Sequence, residues 1–200
     1  MGLFKRFLGQ TRKPEGFFGK LMLNGMNQGH AALSDWGLSH IEGLSPLVVA
    51  ELGCGGGRNV RELLRRYPMA KVYAVDYSAL AVCRTRAYNK PDIVKGRCRV
   101  LKASVQSLPL AASRFDFATA FETVYFWPDP AECFAEVYRT LKCGGSFLIC
   151  NESDGTDAEG LRYERIIDGM HCYTAEELET MLRTAGFSEV QVFRHETKPW

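Results

Sequence analysis

Long apolar runs are missing from this 200-residue chain. No stretch approaches the ~20 residues that a membrane-spanning helix needs. The opening Met1-Gly2-Leu3-Phe4-Lys5-Arg6-Phe7-Leu8 is too short and too broken by charge for a secretory leader, and Arg6 stands where a myristoylation motif requires Ser or Thr. A charge excess of one sign is missing too: 25 Lys and Arg face 23 Asp and Glu, a formal net charge of +2. That balance speaks against a protein that grips a phosphate backbone by bulk charge, so no nucleic-acid partner is expected. Closely paired cysteines are the third absence. The seven cysteines, at 54, 83, 98, 133, 143, 150 and 172, include no C-x-x-C. Such an odd, scattered set reads as reduced thiols of a cytoplasmic protein, not as a disulfide framework or a zinc site, and no metal is expected.

What is present is one domain's worth of chain with 46% apolar residues, enough for a single core. Residues 1–45 are rich in Gly and aromatics and carry no strong period. Leu3, Phe4, Phe7 and Leu8, with Lys5, Arg6, Arg12 and Lys13, read as a helix packed on its own domain or, at most, as a weak membrane contact through residues 1–13. From Leu47 short apolar runs alternate with helical periods. Strands are expected at 47–52, 71–76, 97–103, 115–121, 146–150 and 189–193. Helices are expected at 59–67, from an N-capping Ser78 to about Asn89, at 130–141 closed by Gly144-Gly145, and from a Thr174/Glu177 capping box to Ala185. The alternation predicts an α/β fold with a doubly wound, mostly parallel sheet. Segment 152–173 reads as a partly helical excursion over the carboxyl ends of the strands.

The informative stretch is Glu51-Leu52-Gly53-Cys54-Gly55-Gly56-Gly57-Arg58-Asn59, where a buried strand runs through four glycines into a helix. Glycine lets backbone approach a ligand closely, and the carboxyl end of a first strand is where open α/β sheets bind ligands. A dinucleotide site wants a third glycine three residues after Gly55; Arg58 stands there, which weakens a dinucleotide-dependent oxidoreductase as the alternative. A P-loop fails for want of Gly-Lys-Ser/Thr. Cys54 reads as a small loop filler.

The loop resembles motif I of the class I S-adenosylmethionine-dependent methyltransferases, and the resemblance runs from about Val48 to Phe193. Val75-Asp76-Tyr77-Ser78, Leu108-Pro109-Leu110 with Phe115-Asp116, and Glu136-Val137-Tyr138-Arg139-Thr140-Leu141-Lys142-Cys143-Gly144-Gly145 are similar to later motifs of that family, with Cys143 in place of the usual proline. The resemblance implies a Rossmann-like core at 46–200, behind an N-terminal helical lid segment at 1–45. It implies that Gly53, Gly55 and Gly57 pass under the methionine part of S-adenosylmethionine and that Glu51 organises the loop and the cofactor's amino group. Asp76 would hold the ribose, with Tyr77 beside the adenine. Ser104 and Val105 stand where relatives bind the adenine amine, and Phe121 faces the methionine end. S-adenosylhomocysteine would be the product.

On the acceptor side no Asn/Asp-Pro-Pro-aromatic tetrad follows Phe121, which argues against exocyclic amines and glutamine amides as acceptors; the segment Phe121-Glu122-Thr123-Val124-Tyr125-Phe126-Trp127-Pro128 instead resembles the small-molecule and lipid-quinone-like branch, with Phe126 where a histidine is often found. That resemblance implies a small, partly apolar acceptor. Glu122 and Tyr125 orient or deprotonate it, or Tyr125, Phe126 and Trp127 simply wall a pocket. His30, in the lid segment, is a base or a structural hydrogen-bonder. A non-catalytic cofactor-binding member of the fold is the other alternative. Too little chain follows 193 for the family's last, antiparallel strand: either that strand is absent, the end is trimmed, or the sixth strand lies elsewhere than 189–193.

Overall fold

The computed structural model describes residues 30–196 apart from Glu42. The expectations for residues 1–29, including the membrane contact at 1–13 and the Gly25–Gly29 part of the lid, lie outside the described residues. The elements run α1 (Ala31–Ser39), β1 (Val48–Leu52), α2 (Arg58–Arg66), β2 (Lys71–Asp76), α3 (Ala79–Tyr88), α4 (Lys90–Val94), β3 (Cys98–Lys102), β4 (Phe115–Phe121), a 3-10 turn (Val124–Phe126), α5 (Pro130–Thr140), β5 (Leu141–Cys150), α6 (Ala158–Ile166) and α7 (Ala175–Ala185). No described helix is long and apolar enough to cross a membrane.

The five strands form one sheet in the order β3-β2-β1-β4-β5, and every pairing is parallel. The order reverses beside β1, so the loops after β1 and β4 flank the switch point at the carboxyl ends of the strands, the crevice where open α/β sheets bind ligands. Period-two alternation sorts the side chains into two cores. Val49, Val72, Ala74, Phe117 and Phe121 pack with Val60, Leu63 and Leu64 of α2 and Leu33 and Leu38 of α1. Ala50, Leu52, Val75, Ala118 and Ala120 pack with Phe134 and Val137 of α5, and Leu178, Met181 and Leu182 of α7 lean on this second core. Each large apolar side chain so buried contributes roughly 1.5–3 kcal/mol.

Local signals set the helix ends. Ser78 Oγ accepts the Ala81 amide at the start of α3. Thr174 and Glu177 form the expected capping box on α7, which Gly186 closes at φ 113°.

Two expectations are corrected. Gly144-Gly145 does not close α5: the helix stops at Thr140, and β5 begins at Leu141. Phe115 pairs with Leu141 but Phe117 with Ser146, so the two glycines lie in a bulge that gathers the extra residues. Gly144 takes φ 74°, and a Cβ on Gly145 would come within 2.9 Å of the Lys142 carbonyl. The sixth strand at 189–193 does not form; these residues pair with no strand. Phe193 instead stacks on His40 with ring centroids 4.3 Å apart, and His195 lies against Trp36. The chain is drawn to the end of α1 rather than to the sheet edge. No antiparallel pair occurs among the described residues.

Candidate functional site

The glycine loop is built on three supports. The Gly53 and Cys54 amides both donate to the Val75 carbonyl, at 2.8 and 3.0 Å, fastening the loop to the end of β2. Thr85 Oγ1 of α3 donates to the Gly55 carbonyl at 3.0 Å, and Nδ2 of Asn89, the residue after α3, donates to the Gly57 carbonyl at 3.0 Å. Gly53, Gly55 and Gly57 take φ values of 81°, 49° and 85°, in the region that favours glycine. At Gly53 a Cβ would also lie 2.2 Å from Thr123 Oγ1, because the loop after β4 rests directly on this backbone.

Asp76 ends β2 and is 8% exposed. Its Oδ2 accepts the Gly55 amide at 2.9 Å and its Oδ1 accepts the Ser78 amide at 2.8 Å. Burial pushes its carboxyl above the usual range, against the pull of those two amides. The strand therefore delivers a carboxylate to the rim of the bare loop. Tyr77 follows it and is exposed. Ser104 is exposed and its Oγ accepts the Gln106 amide at 3.3 Å; Val105 beside it is buried. These residues line the neighbouring carboxyl ends of β2 and β3, tied together by the Ala103 amide donating to the Asp76 carbonyl.

Glu51 is 1% exposed, on the inner side of the loop. The Thr119 hydroxyl donates to its carboxylate, and the Asn59 side chain also hydrogen-bonds it. Burial pushes its pKa up to about 8. The folded chain then keeps a proton that an ordinary carboxyl, near 4.5, loses. Folding takes up a proton between those two values, so stability falls as pH rises from about 4.5 to 8. Glu51→Gln is expected to remove only the part of the loss that Glu51 carries, roughly 4 kcal/mol across that window, leaving the part carried by Glu122 at the end of β4, whose pKa is also pushed up to about 8; thermal melts of both proteins at pH 5 and pH 8 measure it. Equal pH dependence in the two would refute the assignment. Cys54 is buried with its thiol pKa raised well above normal by burial, which leaves it the inert filler expected.

On the other side of the crevice Phe121 ends β4, buried. Glu122 follows at φ 57°, a left-handed conformation uncommon outside glycine. Its amide donates to the Cys150 carbonyl at 3.0 Å, and its Oε1 accepts the Tyr125 hydroxyl at 3.2 Å and the Glu152 amide. Burial pushes its pKa up to about 8. The Tyr125 hydroxyl accepts the Ser153 amide at 2.8 Å, and its carbonyl accepts the His171 amide at 2.9 Å. Tyr125 thus staples both ends of segment 152–173 over the site, and burial drives its phenol pKa so far upward that it stays a donor. Tyr125 and Trp127 are buried and Phe126 half-buried, so the aromatic run is mostly wall. His30 lies before α1 with Nε2 3.8 Å from Glu152 Oε2, and burial lowers its pKa.

The sequence-derived candidates fall into two neighbouring groups. Glu51, the glycines and Asp76 meet at the loop; His30, Glu122 and Tyr125 meet at the end of β4. Sequence reasoning missed Thr123, Ser153 and Glu152, which carry no motif and are brought in by the fold.

A protein-family model described as "Methyltransferase domain" matches residues 50–149, from within β1 almost to the end of β5. Cycloartenol-C-24-methyltransferase 1 of Oryza sativa subsp. japonica is 32% identical over 108 residues, 54% of this chain. The match takes in 31% of that enzyme, so the chain spans about a third of its length. YdaC of Bacillus subtilis (strain 168), described as an uncharacterized methyltransferase, is 22% identical over 84% of this chain and 86% of its own. The chain described as a methyltransferase in complex with the Haloferax volcanii activator Trm112 superposes with a TM-score of 0.73 at 22% identity, covering 93% of this chain and 76% of that one. At that identity the structural likeness speaks for the fold alone.

Proposed function

This chain belongs to the class I S-adenosylmethionine-dependent methyltransferases, and from that premise we propose that it methylates a small, partly apolar acceptor. The observation that carries the cofactor half is the Asp76 carboxylate hydrogen-bonded to the Gly55 amide, which sets a strong acceptor on the rim of side-chain-free backbone. The residues present suit the cofactor. The loop from Gly53 to Gly57 carries only one side chain, that of buried Cys54, and Asp76 keeps lone pairs for the two ribose hydroxyls. Glu51 meets the amino group from beneath the loop, and Tyr77, Ser104 and Val105 flank the adenine, with Phe121 at the methionine end.

Bound S-adenosylmethionine supplies a methyl group on a sulfonium, which a nucleophile displaces in line to leave S-adenosylhomocysteine. The protein's task is alignment and exclusion of water. Tyr125, a fixed donor, positions Glu122 and holds segment 152–173 in place. Glu122 and His30 orient the acceptor's reacting atom and take any proton it must lose. Of the lid segment expected at 1–45, the described part includes α1, whose Leu33 and Leu38 are buried in the first core, with His30 at its start. The chain's seven thiols, all unbonded, fit a cytoplasmic setting; the near-neutral charge gives no reason for a nucleic-acid partner.

Isothermal titration with S-adenosylmethionine and with S-adenosylhomocysteine is expected to give one site per chain; silence with both at about 1 mM, a binding energy of only ~4 kcal/mol, removes the cofactor reading. For the acceptor half, S-adenosylhomocysteine release is expected with small apolar alcohols, acids or amines. Release only with nucleic acid or protein substrates would overturn it.

A further inference from the structure

We propose that His30, Glu122 and Glu152 form a binding site for a divalent transition-metal ion at the acceptor end of the crevice. One ligand atom from each, an imidazole nitrogen and two carboxylate oxygens, lies within 4.8 Å of the other two. They come from three places in the chain: the residue before α1, the residue after β4 and the second residue after β5. Sequence spacing, which led to an expectation of no metal, could not report such a set.

The state of each ligand supports a cation. Both hydrogen bonds recorded for the Glu122 carboxylate fall on Oε1, which leaves Oε2 open. Glu152 has one ionic contact among the described residues, His30 at 3.8 Å, and its side chain is 49% exposed, so it can swing inward. Two carboxylates held this close, with no lysine or arginine paired to either among the described residues, gain from a shared counter-ion. A separate observation lies at the same strand end: Asn151, between Cys150 and Glu152, has both amide atoms buried and without a hydrogen-bond partner. Its oxygen is a further donor of the right kind.

One imidazole with two carboxylates suits Mn²⁺, Fe²⁺, Co²⁺ or Zn²⁺ better than Ca²⁺ or Mg²⁺, which prefer oxygen alone, or Cu⁺, which prefers sulfur. Bonds of about 2.0–2.2 Å to such an ion put ligand atoms roughly 3–3.5 Å apart, so Glu152 must close by about one and a half ångströms, a rotamer change for a half-exposed side chain. Binding stands independently of the methyl-transfer reading. Its use rests on that reading: the ion would hold an acceptor oxygen beside the cofactor, with His30 and Glu122 acting through it.

The test is titration of the full-length, cofactor-free protein with Mn²⁺, followed by electron paramagnetic resonance, and with Zn²⁺ by calorimetry. One ion per chain is expected, with Kd of about 100 μM or tighter, weakened at least ~10-fold by Glu152→Gln and by His30→Gln. Neither substitution removes the bonds that staple the site through Tyr125, so both variants fold. No stoichiometric binding at about 1 mM of either ion, or binding undiminished in both variants, overturns the proposal. S-adenosylhomocysteine titration of the same samples reports the cofactor site separately, so failure of one reading is distinguishable from failure of the other.

Discussion

Asp76→Ala is expected to weaken S-adenosylhomocysteine binding by about 100- to 1000-fold. A carboxylate that accepts two hydroxyls contributes two charge-assisted hydrogen bonds, each worth roughly 1.5–3 kcal/mol, and about 1.4 kcal/mol corresponds to tenfold. The same substitution frees the Gly55 amide, which the carboxylate now holds at 2.9 Å, so the loop also loses a support. The Ser78 amide loses its acceptor as well, so the folded state is also expected to be destabilised, by about 1–3 kcal/mol for each buried amide left unpaired. Asp76→Asn keeps the shape and one acceptor, and an intermediate loss is expected. Calorimetry gives the affinities and a thermal melt checks folding. Affinity within about threefold of the parent for Asp76→Ala would remove the ribose assignment.

Gly53→Ala is expected to cost about 3 kcal/mol of stability and to abolish measurable cofactor binding. Two effects add. A side chain at φ 81° is strained by roughly 1–2 kcal/mol. The added Cβ would lie 2.2 Å from Thr123 Oγ1 and 2.7 Å from Thr123 Cβ, and one of the two loops must yield. For a chain of this size the melting temperature should fall by about 6–12 °C. Thr123→Gly removes all three overlapping atoms, Oγ1, Cβ and Cγ2, so the double variant should recover the part due to overlap and keep the part due to backbone strain. No recovery in the double variant would mean that the two loops do not touch as described.

The sequence made the sheet's inner strands legible because buried parallel strands are short, nearly continuous apolar runs. Lys71–Asp76 and Phe115–Phe121 appear at their expected bounds. The glycine loop, Asp76 and the α7 capping box were legible for a similar reason: each is a local device written in adjacent residues. Misreadings arose where distant partners decide. The Gly144-Gly145 pair looks like a helix stop, and only the register of β5 against β4 shows that it absorbs extra residues. Residues 189–193 alternate as a strand would, yet rings on α1 and His40 capture them first. The cluster at the end of β4 was half legible. His30, Glu122 and Tyr125 could be named, but Glu152, Ser153 and Thr123 are ordinary residues until the chain folds back on itself.

The contact of Thr123 with the backbone of Gly53 has a consequence for how this protein can change. Half-buried Phe126 and the exposed positions of segment 152–173 can vary to suit new acceptors, whereas Tyr125, which ties that segment down, and Trp127, which donates to Thr123 Oγ1, cannot. Nor can position 123, because it is the pivot on which the two loops bear. New acceptor preferences should therefore arise, in nature or in a selection experiment, by substitutions that pass around this residue, and variants altered at it should lose both ligands together.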